Sequence, residues 1–456
     1  MANRPDANEK GKPGASLFYV PLSEAILYWL KLGFISFGGP AGQIAMMHAE
    51  LVERRRWISE QRFLHALNYC MLLPGPEATQ LAVYIGWLMH RTLGGIIAGV
   101  LFVLPSLLLL IGLSWAYMAY GSLPAVAGIL YGMKPAVVAI VLAAAWRIGQ
   151  RTLRNRLLGA IAVAAFIAIS VLHLPFPAIV ASAALLGWLG GRLRPQQFAL
   201  GGSAHASAPT TEPAAPHVPA LIDDGTPTPP HARFSWTGLA RAAAAGIMLM
   251  AGAWLLLAWI FGIDKILAQM GWFFTKAAMM TFGGAYAVLP YVYQGGVEHF
   301  QWLSAAQMVD GLALGETTPG PLIMVVAFVG FVGAWTHEAI AGQPALAGVL
   351  GAVVAAWFTF VPSFIFILAG GPLVESTRGN IRMTAPLTAI SAAVVGVIAS
   401  LALFFGMHVF HPASRWEWPA MAIAAAAALA LMRFKQGTIR VLLACAIAGV
   451  VLSYWV

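Results

Sequence analysis

Two kinds of residue in this sequence could do chemistry. The first is a set of glycine–proline corners: Gly38-Gly39-Pro40, Pro74-Gly75-Pro76, Gly283-Gly284 and Pro319-Gly320-Pro321. Each corner precedes a helical run. A helix N-terminus carries about half a unit of positive charge and free N–H groups, which suits an anion. Glycine lets an oxyanion approach the main chain. Proline sets φ for a first helical turn and lacks an N–H that would go unused there. The chemistry is reversible anion binding, with no bond made or broken. The competing reading is that Gly and Pro only pack tightly or kink helices, as is common in membranes.

The second kind is the ionisable residue inside apolar sequence. Lys31 and Lys276 lie seven residues before Gly38 and Gly283. Paired cations there would raise anion occupancy; the alternative is that each snorkels to an interface. Glu77 follows one Pro-Gly-Pro, Glu316 precedes the other by three, and Asp310 is six further back. Buried carboxylates can shuttle protons, which makes these three the candidates for proton coupling. For Glu77 the alternative is a helix cap, since a carboxylate is favoured in a first turn. Gln43, Thr79, Gln80, Thr317 and Thr318 are hydrogen-bonding groups for an oxyanion or for the backbone. His408 and His411 have no Cys or carboxylate beside them, so no metal site is expected. The chain has no GxSxG, HExxH, Walker-type loop or dinucleotide fingerprint. No enzyme activity and no cofactor are expected, and the driving force is an ion or potential gradient rather than ATP hydrolysis within this chain.

These residues sit in a duplicated stretch. Lys31–Pro76 and Lys276–Pro321 align without a gap at an offset of 245 (276 − 31 and 321 − 76), and twelve of the 46 positions are identical. The matches include Phe37/Phe282, Trp57/Trp302, Ser59/Ser304 and both Pro-Gly-Pro corners. In a membrane protein such a repeat points to a transporter built from two related halves.

The composition fixes the solvent. The 456 residues are 60% hydrophobic and only 9% charged, against about 25% charge in soluble domains. Mean hydropathy is +0.79. Several apolar segments reach the ~20 residues needed to cross a bilayer. The expected fold is an all-α polytopic membrane protein of two inverted repeats. Each repeat has two broken, re-entrant helical hairpins followed by about four transmembrane helices. The runs Ser23–Ser36, Ala41–Val52, Phe63–Leu73 and Glu77–Met89 are each too short to span, so each pair forms a hairpin with a Gly/Pro tip. Such open backbone is tolerated only inside protein or beside water.

The expected organisation is a basic tail (1–20), a first repeat (21–194), a disordered linker rich in Pro, Ala, Gly and Thr (195–235), an extra transmembrane helix (236–263) and a second, inverted repeat (264–456). No signal peptide is expected. The net charge of +9 is read as orientation signal, not as nucleic-acid binding. With the N-terminus in the cytoplasm, Arg54–Arg56, Arg62, Arg91, Arg147–Arg156, Arg192, Arg194, Arg378, Arg382, Arg433, Lys435 and Arg440 fall inside, leaving Lys265 and Arg415 outside. The C-terminus is then periplasmic.

At SFGGPAGQIA, RRRWIS, LLPGPEATQLAVYIGW and GETTPGPLIM the sequence resembles the chromate ion transporter (CHR) family, in its long two-domain bacterial form, over about residues 20–195 and 265–455. The resemblance implies a secondary carrier of the bacterial cytoplasmic membrane that exports chromate and confers chromate resistance, with sulfate the related oxyanion. It carries the family's corner motifs onto Gly38-Gly39-Pro40, Pro74-Gly75-Pro76 and Pro319-Gly320-Pro321. The second Gly-Gly is followed by Ala285 where the family has proline. Alternatives are a sulfate or small-anion importer or exchanger, and an anion channel. The expected partners are the oxyanion and the lipid bilayer, not nucleic acid, with a homodimer left open.

Overall fold

The computed structural model describes residues 20–198, 220–282, 284–376, 385–412 and 415–453. Within these residues the repeat is visible element by element. In the first copy α1 (Leu22–Ile35), α2 (Gly39–His48), a π-helical turn (Ala49–Arg54) and α3 (Glu60–Leu72) lead into α4 (Glu77–Tyr120). Then come α5 (Pro124–Thr152), α6 (Arg156–Ser170), α7 (Phe176–Leu193) and the four-residue α8 (Pro195–Phe198). A single α9 (Trp236–Phe261) precedes the second copy. That copy runs α10 (Ile266–Met279), α11 (Ala285–Tyr293), a π turn (Gln294–His299), α12 (Ala305–Thr317), a 3-10 turn (Leu322–Met324) and α13 (Val325–Thr336). It ends with α14 (Pro344–Ser376), α15 (Ala385–Phe410), α16 (Trp418–Met432) and α17 (Thr438–Ser453).

The π turns and the α3/α12 pair start and stop at an offset of 245. So do two non-glycine residues with positive φ, Arg56 (+51°) and Gln301 (+53°). Ser59 and Ser304 cap α3 and α12 by accepting from the backbone N–H three residues on, which satisfies a donor that would otherwise be orphaned.

The first two helical pairs fold back on themselves. Arg55, after the first π turn, reaches back to Glu24 at the start of α1 at 2.7 Å. Tyr28 meets Trp57 edge-on at 5.5 Å, and its counterpart Phe273 meets Trp302 at 5.3 Å. The second hairpin also returns: His90, where α4 breaks, contacts the Val20 carbonyl at 2.8 Å. We call this the near face. The break itself is at His90 and Arg91, the latter at φ +56°. It divides α4 into a return arm of about 13 residues and an arm from 92 to 120, about 43 Å long at 1.5 Å per residue. Glycines let return arm and spanning helix touch: Gly86 lies on Gly94, and Gly330 on Gly351.

Six described helices (α4, α5, α7, α9, α14 and α15) are long and apolar enough to cross a bilayer, as the hydropathy predicts. The copies interlock. The long arm of α4 packs on α14, α5 packs on α16 and α17, and α15 packs on α6 and α7. The second copy's hairpin base contacts the α6–α7 turn, where Gln294 accepts from the Phe176 amide at 3.0 Å.

Residues 220–235, the end of the segment read as a linker, are tied to the near face. Leu221 and Ile222 donate to the carbonyls of Arg56 and Trp57 at 2.8 and 3.1 Å. Ser59 Oγ donates to Asp224, and the Arg62 guanidinium to the Thr226 carbonyl. The expectation of disorder therefore fails for this stretch, because its main chain finds acceptors along Arg56–Ser59. Residues 1–19 and 199–219 lie outside the described residues, as do Arg378 and Arg382.

Candidate functional site

The two Pro-Gly-Pro corners share a constrained backbone. Gly75 has φ +127° and Gly320 φ +104°, a region an L side chain rarely adopts. Each corner is held by the other copy. The Gly75 amide donates to the Thr281 carbonyl at 2.7 Å, and the Gly320 amide to the Ser36 carbonyl at 2.8 Å. Both donors and both acceptors differ by 245 (320 − 75 and 281 − 36), so this is one contact made twice with the partners exchanged. That is the signature of a two-fold interface.

The exchange bears on the expected anion site. The amides of Gly75 and Gly320 are spent on protein carbonyls, so these glycines do not offer N–H groups to an anion. Their role is to make the turn and let the copies meet. Pro76 and Pro321 sit at the cap rather than in the first turn.

Two glutamines brace the corners. Gln43 Nε2 donates to the Gly320 carbonyl and, at 3.3 Å, to that of Ser36. Gln80 Nε2 donates to the Pro74 carbonyl at 2.8 Å. Both N–H groups of Gln43 are thus engaged, whereas Gln80 commits one of its two. Thr317 and Thr318 are likewise occupied, donating to Leu314 and Gly315 within their own helix at 2.7 and 2.8 Å. Serving the backbone was the alternative reading for these residues, and these bonds are of that kind.

Gly38 and Gly39 have φ +91° and +70°, followed by Pro40 in the first turn of α2. Gly284 has φ +101°, and a Cβ on it would stand 3.9 Å from Glu77 Oε1. Gly283 lies outside the described residues. Glu77 thus occupies the electropositive start of α4, while Leu322, 245 residues on, leaves the equivalent end of the second copy without a carboxylate.

The two lysines are not brought to the corners. Lys31 is exposed on the side of α1 opposite its buried Tyr28, Trp29 and Leu32. Lys276 lies 5.7 Å over the Trp272 ring, one turn back along α10. Both positions fit the snorkelling reading.

The other two carboxylates lie on the packed seam of α5 and α12. Asp310 receives Lys134 Nζ at 3.3 Å and the Tyr117 hydroxyl at 3.1 Å. It floors a cavity of about 550 Å³ lined also by Ser122, Tyr131 and Gln307. Six residues further on, Glu316 accepts from the Tyr286 hydroxyl, and Arg147 of α5 bears on the same carboxylate. The first copy has His65 and Met71 at these positions, so the acidic seam belongs to one half only. Lys134, Tyr117 and Tyr286 were not singled out from sequence, because nothing local marks the partner of a distant carboxylate.

A second signal was also missed. Beyond the hairpins the register shifts to 257, which pairs Pro105-Ser106 with Pro362-Ser363 and Ala136-Val137-Val138 with Ala393-Val394-Val395. The 12 extra residues (257 − 245) fall where the break at His90-Arg91 is replaced by the α13–α14 connection. Ser363 stands against Gly75, and Ser106 against Gly320.

Sequence comparison agrees with this reading of the halves. The Chromate transporter family model matches residues 23–188 and 268–450. A chromate transport protein of Cupriavidus metallidurans is 28% identical over 433 residues, covering 95% of this chain and 93% of that protein. A chromate transport protein of Pseudomonas aeruginosa is 32% identical over 383 residues, 83% of this chain and 80% of that protein. An uncharacterized transporter of Bacillus subtilis, YwrB, is 30% identical over 135 residues, which is 30% of this chain but 68% of the relative. No solved structure matches the chain.

Proposed function

The chain belongs to the chromate transporter family, and on that premise we propose that it is a secondary active carrier exporting chromate across the bacterial cytoplasmic membrane. The observation that carries the reading is the reciprocal pair Gly75–Thr281 and Gly320–Ser36. It places two interrupted helices of opposite copies against each other. Ser106, beside one corner, is the central residue of the arm from 92 to 120, so the corners lie near half depth. Substrate sites of repeat-built transporters occupy that level.

The copies are inverted in this proposal. Both hairpins of a copy return to their starting face, and five helices then intervene: the long arm of α4, α5, α6, α7 and α9. An odd number of crossings starts the second copy on the opposite face. Two contacts support this: the first hairpin base meets residues 220–235, which follow α7, whereas the second meets the α6–α7 turn. The bias of Lys and Arg toward the near face makes that face cytoplasmic.

An exported dianion gains about 2.3 kcal/mol per charge per 100 mV from a negative-inside potential. The Asp310–Lys134 and Glu316–Arg147 seam is the place for proton coupling. The test is chromate uptake into everted vesicles with and without a dissipated potential. Saturable uptake that slows on dissipation and shows counterflow supports a driven carrier. Non-saturable flux without counterflow means a channel, and preference for sulfate means a sulfate carrier.

A further inference from the structure

Ser106 and Ser363 are each fully buried, and neither hydroxyl has a hydrogen-bonding partner. A helical serine ordinarily returns its hydroxyl to the carbonyl four residues back; these two do not. A methyl on Gly75 would run into Ser363 Oγ, and one on Gly320 would stand 2.6 Å from Ser106 Cβ and 3.0 Å from its Oγ. Each hydroxyl therefore borders the corner of the other copy, in the same exchanged pattern as the backbone bonds. Ser36, Thr79 and Thr359 add three more buried hydroxyls without a partner. Buried polar groups are nearly always paired, and Ser106 and Ser363 are the two of these five that the repeat relates, so this pair is where an acceptor would fit.

The chemistry of that acceptor follows. The groups are neutral O–H donors in a dry setting; the Gly75 and Gly320 amides and Gln43 around them are committed to the backbone, and Gln80 keeps one N–H to add to the set. Four oxygens of a tetrahedral oxyanion can each accept from such donors without a fixed cation that would hold the ion too tightly to release. We propose that Ser106 and Ser363 are paired specificity-determining ligands of the transported oxyanion, one from each copy. This rests on the carrier reading above.

The test uses the full-length protein in lipid, with Ser106→Ala, Ser363→Ala and the double variant. Thermal stability is measured with and without chromate, and with sulfate in its place; uptake KM is measured in vesicles. No bond is lost without ligand, so the ligand-free Tm should equal or exceed the parent's. The chromate-induced rise in Tm should vanish, and KM should increase about ten-fold per hydroxyl, as expected for a hydrogen bond to a charged group. Ser→Cys, a weak donor of similar size, should fall between. A parental KM and parental chromate shift in the alanine variants overturns the assignment. So does a lower ligand-free Tm with unchanged KM, which is the mark of a packing role. A parent protein that neither shifts nor transports with either anion overturns the carrier reading itself, whatever the variants do.

Discussion

The Gly75 amide donates to the Thr281 carbonyl at 2.7 Å, although the two residues lie in different copies of the repeat. Gly320 makes the same bond to Ser36, so a change at either glycine should have the same consequence. Alanine at either position meets a positive φ, costing about 1–3 kcal/mol, and a neighbouring serine as well. Gly75→Ala and Gly320→Ala should both lose measurable chromate flux and lower Tm. Gly112→Ala, in a helix with open space around it, should behave as the parent does. Flux and Tm of the three variants check this, and a large difference between the two corner variants would contradict the exchange.

Gln43 fixes the second corner by donating to two carbonyls at once. Gln43→Leu leaves the Gly320 carbonyl unmet, since Ser36 keeps the Gly320 amide, and should destabilise by about 1–3 kcal/mol. Gln43→Glu should be worse, because a carboxylate then faces two carbonyl oxygens. Denaturation of the purified variants measures the order; Glu milder than Leu would show that the amide does not brace the turn.

Much of this architecture was legible in the chain. The offset of 245 between Gly75 and Gly320, together with runs too short to span, gave the hairpins to within a few residues. The single positions of glycine and proline carry such information because backbone geometry leaves few other residues able to serve there. The site was less legible. Whether Thr317 donates to a ligand or to Leu314, and whether Gln43 serves an anion or Gly320, depends on which acceptor tertiary packing brings near. Ser106 and Ser363 were hidden by the 12-residue shift of register, which a gapless alignment of the hairpins cannot cross.

Lys31 illustrates the same limit, since spacing alone placed it beside Gly38 and the helix turns it outward. Lys31→Met should leave the KM for chromate unchanged and alter only membrane insertion or expression. Lys276→Met should do likewise, apart from losing the contact over Trp272. Uptake kinetics decide it; a raised KM in either would return that lysine to the anion path.

Asp310 is buried and meets Lys134 at 3.3 Å. Removing one member leaves an uncompensated charge, so Asp310→Leu or Lys134→Met alone should cost about 3–5 kcal/mol, nearer the lower figure because Lys134 borders the cavity. The double variant should recover most of the loss, since an apolar pair of similar volume has no desolvation to overcome. A double-mutant cycle in Tm measures this. If the seam couples protons, Asp310→Asn should also flatten the pH dependence of uptake while chromate binding persists.

Gln61 and Ala306 are equivalent positions, 245 apart, and both are exposed at the first turns of α3 and α12. Two copies related by a parallel axis would present them on one face of the membrane; inverted copies present them on opposite faces. Native Cys70 and Cys445 are buried, so an introduced thiol reads out against little background. In intact cells an impermeant maleimide should label Ala306→Cys and spare Gln61→Cys, and in everted vesicles the pattern should reverse. Labelling of both from the same side would leave the reciprocal bonds intact but turn their axis upright. The corners would then no longer face the pocket from opposite sides, and alternation between the two faces would need a different moving part.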